Sequence, residues 1–311
     1  MRQTGRRGEW ELTVSGITYA LWKEDDGFGR AEVTACEGLE GEVRIPAEVE
    51  GHTVRSLAPY AFSAGKAESL FLPETLEKAG KYVFYRCFAL KKLCFSDTFT
   101  DIGAGAFTGC RLEELEIDFY QGEQSCLKYI LDEIRYALKA TLRYHRPDGW
   151  VETAVVIFPE HYEEAVENTP ARIVETHYHG AGGYYRQSFY QRELNYPEYD
   201  SLFPLAIAQE DDEILTDIAA LRLRFPYRLK EWAEERYLAY LTGHMARAGE
   251  QYVRREDAGM LRFFGERRLW DEEALVRAVR TASEEKKLEI LADLMEQKRI
   301  LFPSRKKTFD L

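Results

Sequence analysis

The chain has 311 residues, of which 45% are hydrophobic and 31% charged, and its formal net charge is −12. This length allows about two domains, and the negative charge argues against general nucleic-acid binding, which requires a basic face. No apolar run approaches the length of a membrane-spanning helix, and the basic N-terminal residues lack the apolar stretch of a signal peptide, so we expect neither nucleic acid nor a membrane as partner.

The cysteine content indicates whether the protein belongs to an oxidising or a reducing cellular compartment. Five cysteines are an odd number, and no Cys-x-x-Cys spacing occurs among them. Disulfide frameworks use even numbers of cysteines and metal sites use paired spacings, so the pattern predicts free thiols in a reducing cytoplasm. No cofactor is expected.

The first third of the chain contains a tandem repeat of about 23 residues. The segment Leu70–Leu76 recurs as Leu93–Phe99 at an offset of 23. A looser copy begins at Val43, and a further copy begins at Leu115. A fixed period of this length indicates stacked units, each unable to bury its apolar face alone.

Short motifs recur at fixed positions of these copies. They are Ile45-Pro46 and Leu72-Pro73, Gly80 and Gly103, Ala61-Phe62 and Ala106-Phe107, and Cys87 and Cys110. These motifs resemble the BspA-like class of bacterial leucine-rich repeats over residues 9–118, with Ile17–Leu21 and Ala31–Val33 as an opening strand pair. The resemblance implies a β-rich solenoid, and stacks of repeats usually present a surface to a binding partner. Many members of the class are exported, whereas the cysteines here predict the cytoplasm.

Strand periodicity predicts a candidate binding face on the array. Side chains alternate between the two faces of a strand, so the leucines of each copy point inward and the residues between them point outward. The outward residues form one predicted row, namely Arg44, Phe71, Cys94 and Glu116.

Residues that recur at equivalent positions of the copies also predict which side chains fill the interior of the coil. Phe62, Phe84 and Phe107 recur at equivalent positions and should stack as an aromatic spine. Cys87 and Cys110 also recur, and unpaired cysteines behave as small buried apolar residues.

Periodicity changes after Ile117. The predicted elements, in chain order, are a short helix at 124–132, a hairpin of strands 136–144 and 152–158, a helix at 159–167, a strand at 172–179, a glycine turn at 180–183 and a strand restarting at Tyr184. Pro147-Asp148-Gly149 marks the hairpin turn. Pro159 and the acids that follow it favour a helix start.

Chemical motifs are sparse in this middle segment. His177 and His179 share a strand face, and a metal would need a third ligand such as His161 or Glu163, but no metal-binding spacing is present. We therefore predict no metal site and no catalytic residues. The tyrosine-rich stretch 184–199 suits either a contact surface or a core.

Residues from Ser201 onward have helical periodicity. One helix ends at Phe225-Pro226, and another begins at Asp271. Ser283 is predicted to cap a last helix whose buried stripe contains Leu288, Leu291, Leu294 and Met295. Residues 278–298 resemble an ankyrin unit.

The sequence thus predicts an α+β multi-domain protein. Residues 1–120 would form the leucine-rich repeat array with a strand cap, 121–200 a mixed α+β segment, and 201–311 a helical-hairpin domain. The predicted function is a protein–protein interaction scaffold without catalysis. One alternative is an enzyme or small-ligand-binding module in residues 124–200, with the repeats as recognition arms, and a third reading is a self-associating structural protein.

Overall fold

The computed structural model describes residues 10–25, 27–168 and 173–303, with the backbone alone for residues 163, 165–168 and 173–178. Its internal contacts divide the chain into two compact units, Met1–Gln209 and Glu210–Leu311. Within the described residues, the first unit holds the strands and four short helices, and the second consists of five helices.

The first unit contains two main sheets. One contains β1 (Trp10–Val14), β2 (Ile17–Lys23), β3 (Gly29–Cys36), β5 (Glu48–Val49), β6 (His52–Leu57), β8 (Lys78–Ala79) and β10 (Asp101–Ile102). The other contains β4 (Glu40–Arg44), β7 (Lys66–Phe71), β9 (Lys92–Ser96), β11 (Glu114–Phe119), β12 (Leu138–His145) and β13 (Val151–Phe158). The first has the order β1-β2-β3-β6-β8-β10 with β5 on β6, and the second has the order β13-β12-β11-β9-β7-β4.

Stacked copies of the repeat produce a β-solenoid, as predicted. The strands β4, β7, β9 and β11 pair in parallel, and so do β6, β8 and β10 on the other side of each coil. Leu70, Leu93 and Leu115 are buried between the two sheets. The predicted opening strand pair is present as the antiparallel strands β2 and β3.

The predicted aromatic spine is confirmed. The ring centroids of Phe62 and Phe84 lie 5.5 Å apart, and those of Phe84 and Phe107 lie 5.2 Å apart. All three rings are buried. Cys87 and Cys110 are buried beside the spine, where their thiols donate to the carbonyl oxygens of Phe62 and Phe84 at 2.9 and 3.0 Å.

The next segment extends the second sheet. After α1 (Leu127–Glu133), β12 pairs in parallel with β11 and antiparallel with β13, so the predicted helix and hairpin are both present. The sheet is therefore continuous across the predicted domain boundary at residue 120. The strand β13 ends the order of this sheet.

A tyrosine hydroxyl occupies the outer edge of β13. The backbone N–H of Ile157 donates to the Tyr199 hydroxyl at 3.0 Å, and that hydroxyl donates to the Ile157 carbonyl oxygen at 2.7 Å. Tyr199 is fully buried. One side chain thus satisfies both backbone groups of Ile157, with which a further strand would pair at this position.

The helix predicted for residues 159–167 is wrong. The chain forms β14 (Tyr162–Asn168) instead, and it pairs antiparallel with β15 (Ile173–His179), which confirms the strand predicted there. Proline and acidic residues favour a helix start only locally, whereas cross-strand pairing supplies partners for the backbone over seven positions.

The strand predicted to restart at Tyr184 is also wrong. Residues there form a one-turn helix, α2 (Gly182–Tyr185). A β-carbon at Gly182 would lie 2.1 Å from the carbonyl oxygen of Pro159, so the close approach requires glycine. The unit ends with β16 (Phe189–Tyr190), β17 (Glu193–Leu194), α3 (Tyr196–Ser201) and α4 (Phe203–Gln209).

The second unit contains the predicted helical hairpins. Its helices are α5 (Asp212–Arg224), α6 (Glu231–Arg254), α7 (Ala258–Glu266), α8 (Glu272–Glu284) and α9 (Leu288–Leu301). Three of them have aspartate N-caps, Asp211, Asp257 and Asp271, each accepting a backbone N–H at 2.8 or 2.9 Å. Along the part of the chain that the structure describes, no helix combines the length and apolarity needed to cross a bilayer.

Two predictions for α9 are wrong. Ser283 lies inside α8, and Lys287 is the N-cap residue of α9. Leu288 and Met295 are 74% and 57% exposed, whereas Ile290 and Leu294 are buried. At 3.6 residues per turn, Leu288 lies almost opposite Ile290, so apolar residues occupy two sides of this helix.

Candidate binding face

The four residues of the predicted row lie side by side on the second sheet. Arg44 pairs in register with Phe71, Phe71 with Cys94, and Cys94 with Glu116. Neighbouring strands lie about 4.8 Å apart, so the row extends over about 15 Å. It continues to Thr141 on β12. We call the outward side of this sheet the array face.

Arg44 and Phe71 form a stacked pair at one end of the row. The guanidinium carbon of Arg44 lies 3.7 Å from the centroid of the Phe71 ring, within the range of a cation–π contact. Glu42 accepts a hydrogen bond from Arg44 Nε at 2.9 Å, which holds the guanidinium in place. The Arg44 side chain is 64% exposed. The pair therefore presents an ordered surface with an apolar centre and a charged edge.

Cys94 is in the predicted row, but its side chain is not accessible. The residue is buried although it lies on the outward side of β9. Burial, aided by the negative charge of Glu116, raises the pKa of the Cys94 thiol to about 12. A protonated, buried thiol is a poor nucleophile, so Cys94 contributes packing to this face and not reactivity.

Glu116 is the centre of an ion-pair network. Arg143 Nη2 donates to Glu116 Oε2 at 2.6 Å, and Lys92 Nζ donates to Glu116 Oε1. Burial alone would raise the pKa of Glu116, but the hydrogen bonds from Lys92 and Arg143 outweigh it and lower the pKa. The carboxylate is therefore held in a fixed position and stays ionised.

Several polar residues of the array face were not predicted. They are Lys92, Glu114, Asp118, Lys139, Arg143 and His145, which form ion pairs or hydrogen bonds across β9, β11 and β12. Those on β9 and β11 lie two positions from the predicted row, so the alternation of strand side chains could have identified them. Those on β12 depend on its register against β11, which the sequence does not reveal.

A second aromatic group lies at the far edge of the array face. The rings of Tyr120 and His145 stack with centroids 4.3 Å apart, and Tyr120 is 45% exposed. The Tyr120 hydroxyl donates to Glu74 Oε1 at 3.1 Å, and His145 Nε2 lies 2.7 Å from Asp118 Oδ1. Burial and the hydrogen bond to Glu74 raise the pKa of Tyr120 to about 12, so its hydroxyl remains a donor at neutral pH.

The alternative function places a ligand or catalytic site in residues 124–200, where a pocket with convergent His177, His179 and Arg186 would favour an enzyme. The guanidinium of Arg186 is buried and donates to backbone carbonyl oxygens of Ile134, Tyr136, Pro159 and Gly182. These contacts connect three parts of the chain, namely residues 134–136, Pro159 and the turn of α2 that precedes Arg186. Arg186 therefore has a structural role.

Of the two histidines predicted to share a strand face, the structure describes the side chain of one. The ring of His179 stacks on Tyr162 with centroids 4.2 Å apart, and its Nε2 lies 3.1 Å from Glu164 Oε2. The side chain of His177 lies outside the described residues. Among the side chains that the structure describes, no cluster of three or more histidine, cysteine or carboxylate groups is arranged to hold a metal ion.

The tyrosine-rich stretch is divided between the core and the surface. Tyr185, Tyr196 and Tyr199 are fully buried and fill the core of this segment. Tyr184 and Tyr190 are 48% and 68% exposed.

Comparison with known proteins identifies the repeat. Residues 42–130 match the family described as "BspA type Leucine rich repeat region", in six copies. The match begins later than the resemblance predicted from residue 9 and ends beyond residue 118. A search of curated proteins gives no match.

Three solved structures are similar to parts of the chain. A leucine-rich cell surface protein from Faecalibacterium prausnitzii A2-165 is 24% identical, with a TM-score of 0.28, over 35% of this chain and 33% of that one. The Treponema pallidum leucine-rich repeat protein is 14% identical, with a TM-score of 0.23, over 38% and 77%. The pneumococcal vaccine antigen PcpA is 17% identical, with a TM-score of 0.24, over 37% and 44%. The chain thus spans a third of the length of the first of these proteins.

Proposed function

We propose that this protein, whose residues 42–130 form a BspA-type leucine-rich repeat region, is a protein–protein interaction scaffold that uses the array face. The observation that carries the proposal is the in-register row that begins with the Arg44–Phe71 stack and ends at Glu116. Stacked repeats commonly bind partners through such extended surfaces.

The composition of this face suits a protein partner. Aromatic residues and arginine are enriched where proteins meet, and a central anchor surrounded by polar groups is the usual arrangement. Phe71 supplies the apolar anchor, and the ion pairs around Glu116 supply an ordered polar border. Because these charges are already paired with one another, few side chains need to become ordered on binding.

We also propose a cytoplasmic location. The support is that all five cysteines are free thiols, four of them buried. An oxidising compartment tends to convert neighbouring thiols to disulfides, and Cys87 and Cys110 occupy adjacent coils of the array.

The test compares capture of proteins from an extract of the source cells by wild type and two variants. Phe71→Ala removes the anchor, and Phe28→Ala removes a 66% exposed phenylalanine from the turn before β3. We expect specific partners to be depleted with Phe71→Ala and retained with Phe28→Ala, with all three proteins equally folded by circular dichroism. Equal recovery by Phe71→Ala and wild type would exclude the array face as the contact surface.

A further inference from the structure

Three equivalent segments of the solenoid, residues 58–66, 80–88 and 103–111, lead from the first sheet to the second. Backbone N–H groups of each segment donate to carbonyl oxygens of the next segment at 2.8 to 3.3 Å. The segments therefore lie side by side, and equivalent residues of adjacent coils are neighbours. We call the outward side of these three segments the turn face.

Three tyrosines form a cluster on the turn face. The rings of Tyr60 and Tyr82 stack with centroids 5.4 Å apart, and the ring of Tyr85 meets them edge-on at 6.2 and 5.9 Å. Tyr60 is 52% exposed and Tyr82 is 37% exposed. Within the described part of the chain, none of the three hydroxyls has a hydrogen-bond partner. The cluster is therefore an aromatic platform whose O–H groups are available to a ligand.

The backbone at two of these tyrosines is unusual for a bulky residue. Tyr60 and Tyr82 have positive φ angles of 62° and 57°, and Gly105, at the equivalent position of the third segment, has a φ of 72°. Glycine adopts this conformation without strain, whereas tyrosine in it costs stability. A β-carbon at Gly105 would lie 2.3 Å from the Tyr82 ring, so glycine also leaves room for that ring. Strained positions concentrate at binding sites, which favours a functional role for the tyrosines.

Three exposed cations share the turn face with the tyrosines, namely Lys81, Arg86 and Arg111. Lys81 directly precedes Tyr82 in the middle segment. Arg86 directly follows Tyr85 in the same segment. Among the described residues, none of the three cations has an ion-pair partner, in contrast to the cations around Glu116 on the array face. Their charges are therefore available to an anionic ligand.

Carboxylates are missing from the three segments of the turn face. The segments contain no aspartate or glutamate, although the chain has 54 of these residues among 311. At the border of the face, Glu37 lines a groove beside Ala64. Glu133 lies at the third segment, where its two oxygens accept backbone N–H groups at 2.7 and 2.8 Å. The turn face is thus a cationic patch on a chain whose net charge is −12.

We propose that the turn face binds an acidic peptide segment of another protein. Ammonium and guanidinium groups donate hydrogen bonds and accept none, so their ligand must supply acceptors, and carboxylates form the strongest such bonds. An apolar side chain of the same segment would cover the rings of Tyr60 and Tyr82, because aromatic residues are enriched where proteins meet. Three cations on an acidic chain are few for a nucleic acid, whose binding depends on neutralising many phosphates. The turn face would give the scaffold a second contact surface, separate from the array face.

Fluorescence anisotropy of a labelled peptide composed of glutamate, aspartate and phenylalanine tests this on the full chain. A comparison peptide has glutamine and asparagine in place of the acids, and we expect it to bind about tenfold or more weakly. Lys81→Glu combined with Arg86→Glu should weaken binding of the acidic peptide by a similar factor. The matched control, Lys23→Glu with Lys230→Glu, makes the same change of net charge at exposed lysines outside the turn face and should bind nearly like wild type. Equal affinity of wild type for the two peptides, or an equal loss in the two double variants, overturns the proposal.

Tyr82→Gly tests the tyrosine platform without disturbing the backbone, because Gly105 adopts the same conformation in the next coil. This variant should keep the circular dichroism of the wild type and weaken binding of the acidic peptide about fivefold or more. Tyr190→Gly removes a 68% exposed ring outside the turn face and should leave the affinity unchanged. Retained affinity in Tyr82→Gly overturns the role of the platform.

Single-stranded DNA, used as a competitor of the labelled peptide, tests the class of partner. We expect it to displace the acidic peptide poorly, because the cations are few. Tighter binding of the DNA than of the peptide would show that the patch recognises phosphate chains and would overturn the choice of a protein partner. None of these measurements involves Phe71, so their outcome is independent of the test of the array face.

Discussion

The carboxylate of Glu133 accepts the backbone N–H of Phe107, and through its other oxygen the N–H of Gly105, at 2.8 and 2.7 Å. In the preceding coil the equivalent N–H groups, on Tyr82 and Phe84, donate to carbonyl oxygens of the following coil at 3.3 and 3.0 Å. Glu133 thus replaces two carbonyl groups at the end of the stack. It caps the solenoid with one side chain from α1.

This relationship predicts a loss of stability for Glu133→Ala. Removing the carboxylate leaves two backbone N–H groups without their partner, which costs about 1–3 kcal/mol in the free energy of unfolding. Glu133→Gln keeps one acceptor oxygen and should lose less. Urea denaturation measures both, with Asp132→Ala, the neighbouring exposed carboxylate, as control. Equal stability of Glu133→Ala and Asp132→Ala would show that the cap contributes nothing.

The aromatic spine predicts a larger effect. Phe84 is fully buried and contacts rings in both neighbouring coils, so Phe84→Ala should lower the free energy of unfolding by about 3–5 kcal/mol. Phe88→Ala, at a 62% exposed ring four residues later, should change it by less than about 0.5 kcal/mol. Thermal melts that show no difference between the two variants would contradict the register of the coils.

The free thiols predict how the protein responds to a reducing agent. All five cysteines are free, so the mass of the denatured protein purified from its source should not change on reduction. Reducing agent should likewise leave the melting temperature unchanged. A mass increase of two hydrogens per bridge would reveal a disulfide and contradict the proposed cytoplasmic location.

The raised pKa of Cys94 predicts that the stability of the protein falls at high pH. Below pH about 9 the thiol is protonated in both folded and unfolded chains, so its full contribution to stability is present. Above this pH the unfolded thiol ionises while the folded one, with a pKa of about 12, keeps its proton. Stability should therefore fall between pH 9 and 12, and the fall should be shallower in Cys94→Ser. Urea midpoints at several pH values measure this, and parallel curves for both proteins would contradict it.

The repeat array could be predicted because it combines the two-residue period of a strand with the 23-residue period of the copies. Strand alternation fixes which residues of a copy point inward, and the offset of 23 carries that assignment to the next copy, as for Leu70 and Leu93. The step from Phe71 to Cys94 follows from the same two periods, whereas Arg44 and Glu116 belong to looser copies at offsets of 27 and 22 and follow from strand alternation. The chemistry of the row could not be predicted, because the burial of Cys94 depends on how the side chains around it pack.

The errors occurred where local signals compete with tertiary contacts. Pro159 and its acidic neighbours are suited to a helix start, yet pairing with β15 decided the structure. In α9, Leu288 and Leu294 are both apolar, and the sequence alone does not say which side of such a helix faces the core. The packing of α7 and α8 against α9 decides that choice.

The Tyr199 hydroxyl at the edge of β13 has a consequence for solubility. An exposed strand edge is a template for pairing with other chains, and such pairing leads to aggregation. Both backbone groups of Ile157 are already engaged by the Tyr199 hydroxyl, so a foreign strand cannot extend the sheet there without displacing a buried side chain. Tyr199 therefore blocks strand addition at this position of β13.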